Sequence, residues 1–292
     1  MIPSAFDYAA PTTVEEALSL LAGADASGDD VKLLAGGQSL IPVMKLRMAD
    51  PSLVVDLGRV AGLSGITDDG GSLTIGAMTP HHTVATDSLV MAHAPLLAQA
   101  AQTVADPQVR HRGTIGGALV HADPAGDMPA PVLALDATFN ITGTNGTRSV
   151  AAADFFQGYF TTAVEEGEIL TSITVPKYTG WGSHYEKFTR VAQQWSIVAV
   201  AAAIRVEGGT IAEARLGLTN MSSVPLRAAS TEAALAGCEL REDAIAAACA
   251  HAADGTEPAS DLNGDAAYRR HLATVMARRA VLAAVGLHGL KG

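Results

Sequence analysis

Two glycine-rich loops, each placed after an apolar segment, constrain most strongly how this chain can fold. The first glycine loop, residues 35–39, lies in "LLAGGQSLIPVMKLRM", and the second, residues 114–118, lies in "RHRGTIGGALVHADPAGDMPAP". Consecutive backbone N–H groups in such a loop form an anion-binding concavity, and glycine lets a phosphate approach where a Cβ would collide. The glycine turns hold no lysine, so main-chain groups and the hydroxyls of Ser39 and Thr114 are the candidate donors. The alternative is that both are ordinary turns, where paired glycines are common.

The usual signatures of nucleotide, zinc-protease and hydrolase sites are missing. The sequence has no G-x-G-x-x-G, no G-x-x-x-x-G-K-[ST], no H-E-x-x-H and no G-x-S-x-G. His81 and His82 could be metal ligands, but without a third ligand nearby they favour a solvated turn or helix start. His111 and His121 flank the second glycine loop, either as exposed loop residues or as ligand contacts.

Composition narrows the partners and the compartment. The chain has 292 residues, 48% of them hydrophobic, and a formal net charge of −11. This charge disfavours nucleic acid or an anionic membrane as a partner. Cys238 and Cys249 have no metal or redox spacing, so any iron–sulfur centre belongs to another chain. The sequence resembles neither a signal peptide nor a membrane span, which predicts a soluble cytoplasmic protein.

Local patterns predict both helices and strands, and the sequence pattern changes near residue 177, where we place a domain boundary. A helix begins at Thr13, which forms a capping box with Glu16, and ends at Gly23. A second helix is broken at Pro95, and paired glycines join two alternating apolar runs in a hairpin. The predicted strands lie in "VKLLAGG" and at 52–58, 72–79, 138–143 and 168–176, the predicted helices at 83–105 and 265–285, and the hairpin at 195–220.

Three further residues carry chemistry of interest. Asp127 could accept hydrogen bonds from sugar hydroxyls, or it could cap a helix that starts at Met128; the sequence leaves both open. Lys187 could meet an anionic edge or a phosphate. Trp195 could stack on a flat ring or pack in a core at a domain junction.

Taken in order, these motifs resemble a known family. The stretches "LLAGGQSL", "TIGGALVHADPAGDMPA", "GEILTSITVP", "YEKFTR" and "GLTNMSSVPLRA" are similar to the FAD-binding medium subunits of molybdenum hydroxylases, the xanthine dehydrogenase family. Other stretches, such as "ADPQVRHRGTIGG" and "YRRHLATVMARRAV", most resemble the medium subunit of aerobic carbon monoxide dehydrogenase. The resemblance covers essentially the whole chain.

The resemblance implies an α+β fold. Residues 1–177 would form a PCMH-type FAD-binding domain, related to vanillyl-alcohol oxidase, whose two α/β subdomains span about 1–50 and 51–177. Residues 178–292 would form a carbon monoxide dehydrogenase flavoprotein-like domain, with an antiparallel sheet packed by helices.

The resemblance also implies a set of FAD contacts. The two glycine loops would hold the pyrophosphate, Asp127 the ribityl chain and Lys187 the polar edge of the ring, while Trp195 would shield the isoalloxazine. The implied contacts are Lys32, Leu34, Ala35, Gly36, Gly37, Gln38, Ser39, Leu40, Ala105, Thr114, Ile115, Gly116, Gly117, Ala118, Asp127, Leu170, Lys187 and Trp195. No catalytic side chain and no metal ligand is expected.

Three positions depart from the family pattern. Ala118 stands where many relatives have Asn, which removes a side-chain hydrogen bond to FAD. Gln38 stands where the CO-oxidising relatives tend to have His, and Trp195 replaces a Tyr. The last two could mark a subgroup with another substrate or electron acceptor.

The function implied is electron relay within a complex. A molybdenum-containing large subunit would oxidise the substrate, most similarly CO, and a small subunit with two [2Fe–2S] clusters would pass electrons to FAD on this chain. A quinone or other acceptor would receive them, in a dimer of heterotrimers that can touch the inner membrane face. The alternatives are a medium subunit acting with an aldehyde or N-heterocycle hydroxylase, a freestanding flavin reductase, and a scaffold subunit without redox activity.

Overall fold

A small parallel sheet opens the chain and sets up the first glycine loop. The computed structural model describes residues 2–28 and 30–287. Strand β3 pairs in parallel with both β1 and β2, and β2 runs directly into the first glycine loop. The elements are β1 (Asp7–Ala9), α1 (Val14–Ser27), β2 (Val31–Leu34), α2 (Leu40–Lys45) and β3 (Leu53–Asp56).

Helix α1 begins where the sequence predicts and ends later. The Thr13 hydroxyl accepts a hydrogen bond from the Glu16 N–H at 3.2 Å, and the Glu16 carboxylate accepts the Thr12 N–H at 2.7 Å. The predicted end at Gly23 is wrong, because the helix continues to Ser27. Gly28, with φ of +77°, takes the left-handed position that closes helices.

A five-stranded sheet and a layer of short helices form the next unit. The strand order is β4-β5-β10-β6-β7, all antiparallel. The predicted break at Pro95 is confirmed, and Asp87 adds a second break by capping a new helix. The elements are β4 (Ile66–Asp68), β5 (Ser72–Gly76), α3 (His81–Thr86), α4 (Ser88–His93), α5 (Pro95–Thr103), α6 (Pro107–Arg112), α7 (Ile115–His121), α8 (Pro129–Ala134), β6 (Thr138–Gly143), β7 (Gly146–Ala151), α9 (Ala152–Phe155), β8 (Phe156–Gly158), β9 (Thr161–Thr162) and β10 (Ile169–Pro176).

The C-terminal part is an antiparallel sheet covered by helices. Its strand order is β11-β12-β13-β14. The predicted hairpin is confirmed, and its two turn glycines both have positive φ, at 58° and 82°. The elements are β11 (Gly182–Phe188), β12 (Val198–Glu207), β13 (Thr210–Thr219), β14 (Leu226–Arg227), α10 (Ala229–Leu235), α11 (Glu242–Cys249) and α12 (Ala266–Ala284).

Strand β12 joins the two halves of the molecule because its faces alternate. Ala199, Ala201 and Ala203 belong to the core of the preceding unit, whereas Val198 and Val200 belong to the core that includes α12. Side chains of a strand point alternately to opposite faces, and alanine on one face allows close packing of the sheet on its neighbour. Side chains of β12 thus belong to both cores, and this packing holds the two halves together.

Within the described part of the chain, no helix is both long and apolar enough to cross a membrane. The division at residue 177, and of the first part into 1–50 and 51–177, stays a prediction. The outer ends of the predicted domains, at residue 1 and at residues 288–292, lie outside the described residues.

The closest packing between the halves generates the first test. A Cβ added at Gly217 on β13 would lie 2.3 Å from the Ala130 carbonyl oxygen of α8, so Gly217→Ala forces the backbones apart. We expect the free energy of unfolding to fall by about 1–3 kcal/mol, measured by denaturant titration. Gly71→Ala is the matched control, because a Cβ there meets no atom within 4 Å. Equal effects from both substitutions would contradict this packing.

Candidate functional site

The first glycine loop packs closely against the main chain that leads into the second glycine loop. A Cβ at Gly36 would lie 2.2 Å from the Arg112 carbonyl oxygen and 2.6 Å from Gly113 Cα. A Cβ at Gly117 would lie 2.8 Å from the Thr114 Oγ1 and 3.3 Å from the Ala35 Cβ. These distances leave no room for a side chain at Gly36. The two loops, distant in sequence, therefore lie next to each other.

The second glycine loop is fixed by the segment that leads into α3. Ile115 N–H donates to the Thr79 carbonyl at 3.0 Å, and Gly116 N–H donates to the Ala77 carbonyl at 2.8 Å. Thr114 caps α7: its hydroxyl oxygen accepts the Gly117 N–H at 3.1 Å, and its carbonyl accepts the N–H of residue 118 at 3.0 Å. The amides of residues 115–118 are therefore already used, and the Thr114 backbone N–H and hydroxyl proton are the donors that the described part of this loop can still offer.

The first glycine loop keeps its donors free. Among the described residues, no hydrogen-bond acceptor is paired with the backbone N–H groups of residues 36–39. The Ser39 hydroxyl makes no capping bond to α2, and Gly37 has φ of +74°, a conformation that favours glycine. The Gln38 side chain donates to the Gly36 carbonyl at 3.2 Å. A group rich in oxygen acceptors fits this cradle.

A buried ion pair lies beyond the loops, between the two halves of the chain. Asp127 accepts hydrogen bonds at one carboxylate oxygen from the Tyr185 hydroxyl and the Ser196 hydroxyl, both at 2.9 Å. Lys187 Nζ lies 2.8 Å from the other oxygen, and the two side chains are 8% and 4% exposed. Lys187 Nζ also donates to the Thr103 carbonyl at 3.1 Å. Because its side chain makes these contacts and no helix cap, the helix-cap interpretation of Asp127 is wrong.

Burial governs the protonation of this cluster. Burial raises the pKa of Asp127 above its ordinary value, while the Lys187 charge and the two hydroxyl donors act in the opposite direction. Burial, with the Asp127 charge second, holds the pKa of Tyr185 well above its usual range. Tyr185 therefore remains a protonated donor that fixes the orientation of the carboxylate.

Sequence reasoning missed Tyr185 and Ser196. A signal existed for Tyr185: it stands two positions before Lys187 on β11, so both side chains point to the same face of the strand. Ser196 adjoins Trp195, whose indole is 52% exposed and free to cover a planar group. Ser196 itself gave no signal, since its role depends on meeting Asp127, which is 69 residues away in sequence.

A cavity of about 520 Å³ adjoins the ion pair. It lies between the α5–α6 connection and the segment that follows β11. The predicted site residues Ala105 and Lys187 line it, with Gln102, Thr103, Asp106, Pro107, Arg110, Thr189, Ala192 and Gln193.

The remaining predicted contacts lie around the first loop and in the core. Leu34 ends β2, and a Cβ at Gly37 would lie 3.3 Å from its Cδ1. Leu40 begins α2. Lys32 pairs with Asp30 at 2.6 Å on the surface, and Leu170 is 5% exposed on β10.

The histidines near the second glycine loop lie in helices α3, α6 and α7. His81 starts α3 as predicted, but the expected solvated position is wrong: it is 3% exposed and its Nδ1 has no partner among the described residues. His82 stacks on His111 with ring centroids 3.9 Å apart, and His121 lies 5.2 Å from the Phe160 ring. No group of three potential metal ligands occurs in the described ranges.

Comparison with known proteins places this geometry in context. Residues 4–178 match the family described as "FAD binding domain in molybdopterin dehydrogenase", and residues 183–284 match "CO dehydrogenase flavoprotein C-terminal domain". The chain is 43% identical to the carbon monoxide dehydrogenase medium chain of Hydrogenophaga pseudoflava, over 97% of this chain and 98% of the relative. It is 37% identical to the glyceraldehyde dehydrogenase medium chain of Sulfolobus acidocaldarius, over 96% and 98%.

The same likeness holds in three dimensions. A solved structure of the Hydrogenophaga pseudoflava carbon monoxide dehydrogenase, in a form that lacks the Mo-pyranopterin moiety of its cofactor, superimposes with a TM-score of 0.94. The two chains are 44% identical, and the match covers 99% of this chain and 100% of the other.

Burial of His81 predicts a pH effect on stability. Burial, with the Arg110 charge second, lowers its pKa from 6.5 to about 4. Between these values the unfolded chain takes up a proton that the folded chain excludes. The contribution of His81 to stability is therefore complete above pH 6.5 and declines as the pH falls toward 4.

We therefore expect His81→Gln to flatten the pH dependence of stability. The difference in the free energy of unfolding between pH 7.5 and pH 5 should shrink by about 2 kcal/mol. Urea titrations of the FAD-free chain measure it, with His82→Gln as the control for loss of a neighbouring imidazole. A His81→Gln chain with the wild-type pH dependence would refute the prediction.

Proposed function

This chain belongs to the family of FAD-binding domains of molybdopterin dehydrogenases, and we propose that it is the FAD-carrying electron-transfer subunit of a carbon monoxide dehydrogenase-type molybdenum hydroxylase. One observation carries the proposal: the likeness to a carbon monoxide dehydrogenase medium chain extends over 97% of this chain and 98% of the relative. Both halves of the chain, and the junction between them, are therefore included.

The residues of the site fit FAD. The free amides of residues 36–39, together with the Ser39 and Thr114 hydroxyls, offer donors for a diphosphate, whose charge needs no lysine when main-chain N–H groups point at it. We assign the remaining predicted contacts, including Leu170 and residues 115–118, to packing against FAD, because the amides of 115–118 are already used.

The ion pair supplies orientation and charge. Lys187 is held by Asp127 and the Thr103 carbonyl, so its positive charge sits at a fixed point on the cavity wall. A fixed cation there favours electron density on an adjacent ring edge. Trp195, half exposed beside Ser196, covers the open face of the ring and limits the access of water.

FAD, when bound, supplies the conversion of single-electron arrivals into two-electron delivery. No general acid, general base or nucleophile is asked of the side chains in this proposal. The chain's own work is to bind, orient and shield the cofactor.

The partners follow from the same proposal. A large subunit with the molybdenum cofactor would oxidise CO with water to CO₂, two protons and two electrons. A small subunit with two [2Fe–2S] clusters would deliver those electrons here. We place the complex in the cytoplasm as a dimer of heterotrimers, at the inner membrane face when a quinone is the acceptor.

A second substrate class is favoured by one observation: a glyceraldehyde dehydrogenase medium chain is a relative over 96% of this chain. The resemblance points the same way, since Gln38 and Trp195 are positions where a departure from the family pattern is expected. The second candidate is therefore the same FAD-carrying role in a complex that hydroxylates an aldehyde or an N-heterocycle.

One experiment separates these proposals. The complex is purified through a tag on this chain, its subunits are identified by mass spectrometry, and flavin reduction is followed under CO, an aldehyde or an N-heterocycle. The proposal expects one FAD for each copy of this chain and bleaching of the flavin by CO. A folded, assembled complex without flavin would sink the FAD assignment, and bleaching by an aldehyde alone would select the second candidate.

The stacking role of Trp195 gives a prediction within the assembled complex. Trp195→Ala should leave FAD bound while shifting its reduction potential or its rate of reoxidation, because the ring face opens to water. Potentiometric titration and turnover with an artificial acceptor measure these quantities. Trp181→Phe is the control, since the Trp181 ring packs edge-on against Tyr178. An unchanged spectrum, potential and turnover would count against the shielding role.

A further inference from the structure

The connection between α5 and α6 holds a strained residue. Ala105 has φ of +39°, a left-handed conformation that residues with a Cβ rarely adopt. Residues held in such conformations persist only where the surroundings fix them, and they concentrate at ligand sites. Ala105 also lines the cavity beside Lys187. The strain therefore shapes one wall of the proposed flavin site.

Arg110 is the group that holds this turn. From helix α6 its Nη1 reaches back and donates to the Val104 carbonyl at 2.8 Å and to the Ala105 carbonyl at 3.4 Å. The preceding carbonyl, of Thr103, accepts Lys187 Nζ at 3.1 Å. Three successive carbonyls at the end of α5 thus face two cationic side chains.

Asp106, the next residue, also holds the turn in place. Asp106 caps α6 by accepting the Val109 N–H at 2.9 Å, and its other oxygen accepts Gln193 Nε2 at 2.9 Å. The turn is therefore bounded on one side by the capped helix that leads into the second glycine loop and on the other by the segment after β11. Its conformation links the two parts of the candidate site.

We infer that Arg110 is a positioning residue of the cofactor site, which keeps the turn at residues 104–105 in the left-handed conformation that the cavity requires. This inference rests on the proposed function for the identity of the ligand, FAD. Arg110 acts through the turn. Without the hydrogen bonds from its Nη1 to the Val104 and Ala105 carbonyls, Ala105 relaxes toward negative φ and the cavity wall moves.

The first test substitutes Arg110 in the full-length chain. Arg110→Met should weaken FAD binding by about tenfold, the loss expected when a charge-assisted hydrogen bond is removed. Arg110→Lys should weaken it comparably, since lysine keeps the charge but is a shorter side chain, whose ammonium does not reach the position from which Nη1 donates to both carbonyls. Arg241→Met removes the same charge from an exposed surface ion pair with Asp243 and is the control. Quenching of FAD fluorescence measures the dissociation constants, and circular dichroism confirms folding.

The second test is rescue. Glycine adopts positive φ without a Cβ penalty, so Ala105→Gly added to Arg110→Met should recover affinity to within about threefold of the Ala105→Gly single variant. A merely structural or electrostatic role of Arg110 predicts no such recovery. Wild-type affinity in Arg110→Lys, or an unrescued double variant, would overturn the inference.

A measurement without FAD separates this inference from the proposed function. Hydrogen exchange of the FAD-free chain should be faster at residues 103–107 in Arg110→Met than in wild type or Arg241→Met. Wild-type protein that binds no FAD would defeat the proposed function and leave this result standing. Unchanged exchange at residues 103–107 would contradict the inferred role of Arg110 in holding the turn, even if FAD binds.

Discussion

The close contact between the first glycine loop and the main chain of residues 112–113, which leads into the second glycine loop, is the constraint on which the rest of the site depends. Gly36 lies so close to Arg112 and Gly113 that a methyl group would overlap them. That contact requires the parallel sheet that ends in the first loop to dock on the helices that carry the second. The second loop is itself tied to residues 77–79 by backbone bonds, so its amides are consumed in building the surface. The first loop, free of such bonds, keeps its amides for a ligand.

The junction between the halves of the chain adds the second layer of the site. Alanines on one face of β12 allow the C-terminal sheet to pack closely against the preceding unit, and this packing buries Asp127 with Lys187. Removing two charges from water is costly unless both are paired and hydrogen-bonded. Tyr185, Ser196 and the Thr103 carbonyl meet that requirement. The ion pair is thus a fixed element, well suited to orient a flavin.

Local features of the sequence predicted much of the fold. The β12–β13 hairpin, the break at Pro95 and the start of α1 follow from turn and capping chemistry within a few residues. The contacts that these elements make with distant parts of the chain do not follow from such local chemistry. Helix α1 passes Gly23 and ends where Gly28 supplies the closing conformation, and His81 is buried because α3 packs against α5 and α6. The pairing of Asp127 with Tyr185 and Ser196 spans 58 and 69 residues, so no local pattern could reveal it.

The most direct test of the account is hydrogen exchange with and without FAD on the wild-type chain. If the diphosphate is held by the free amides of the first loop, FAD should slow exchange strongly at residues 36–39. Residues 115–118, whose amides are bonded in the absence of ligand, should change little. FAD binding that leaves exchange at residues 36–39 unchanged would contradict the central claim.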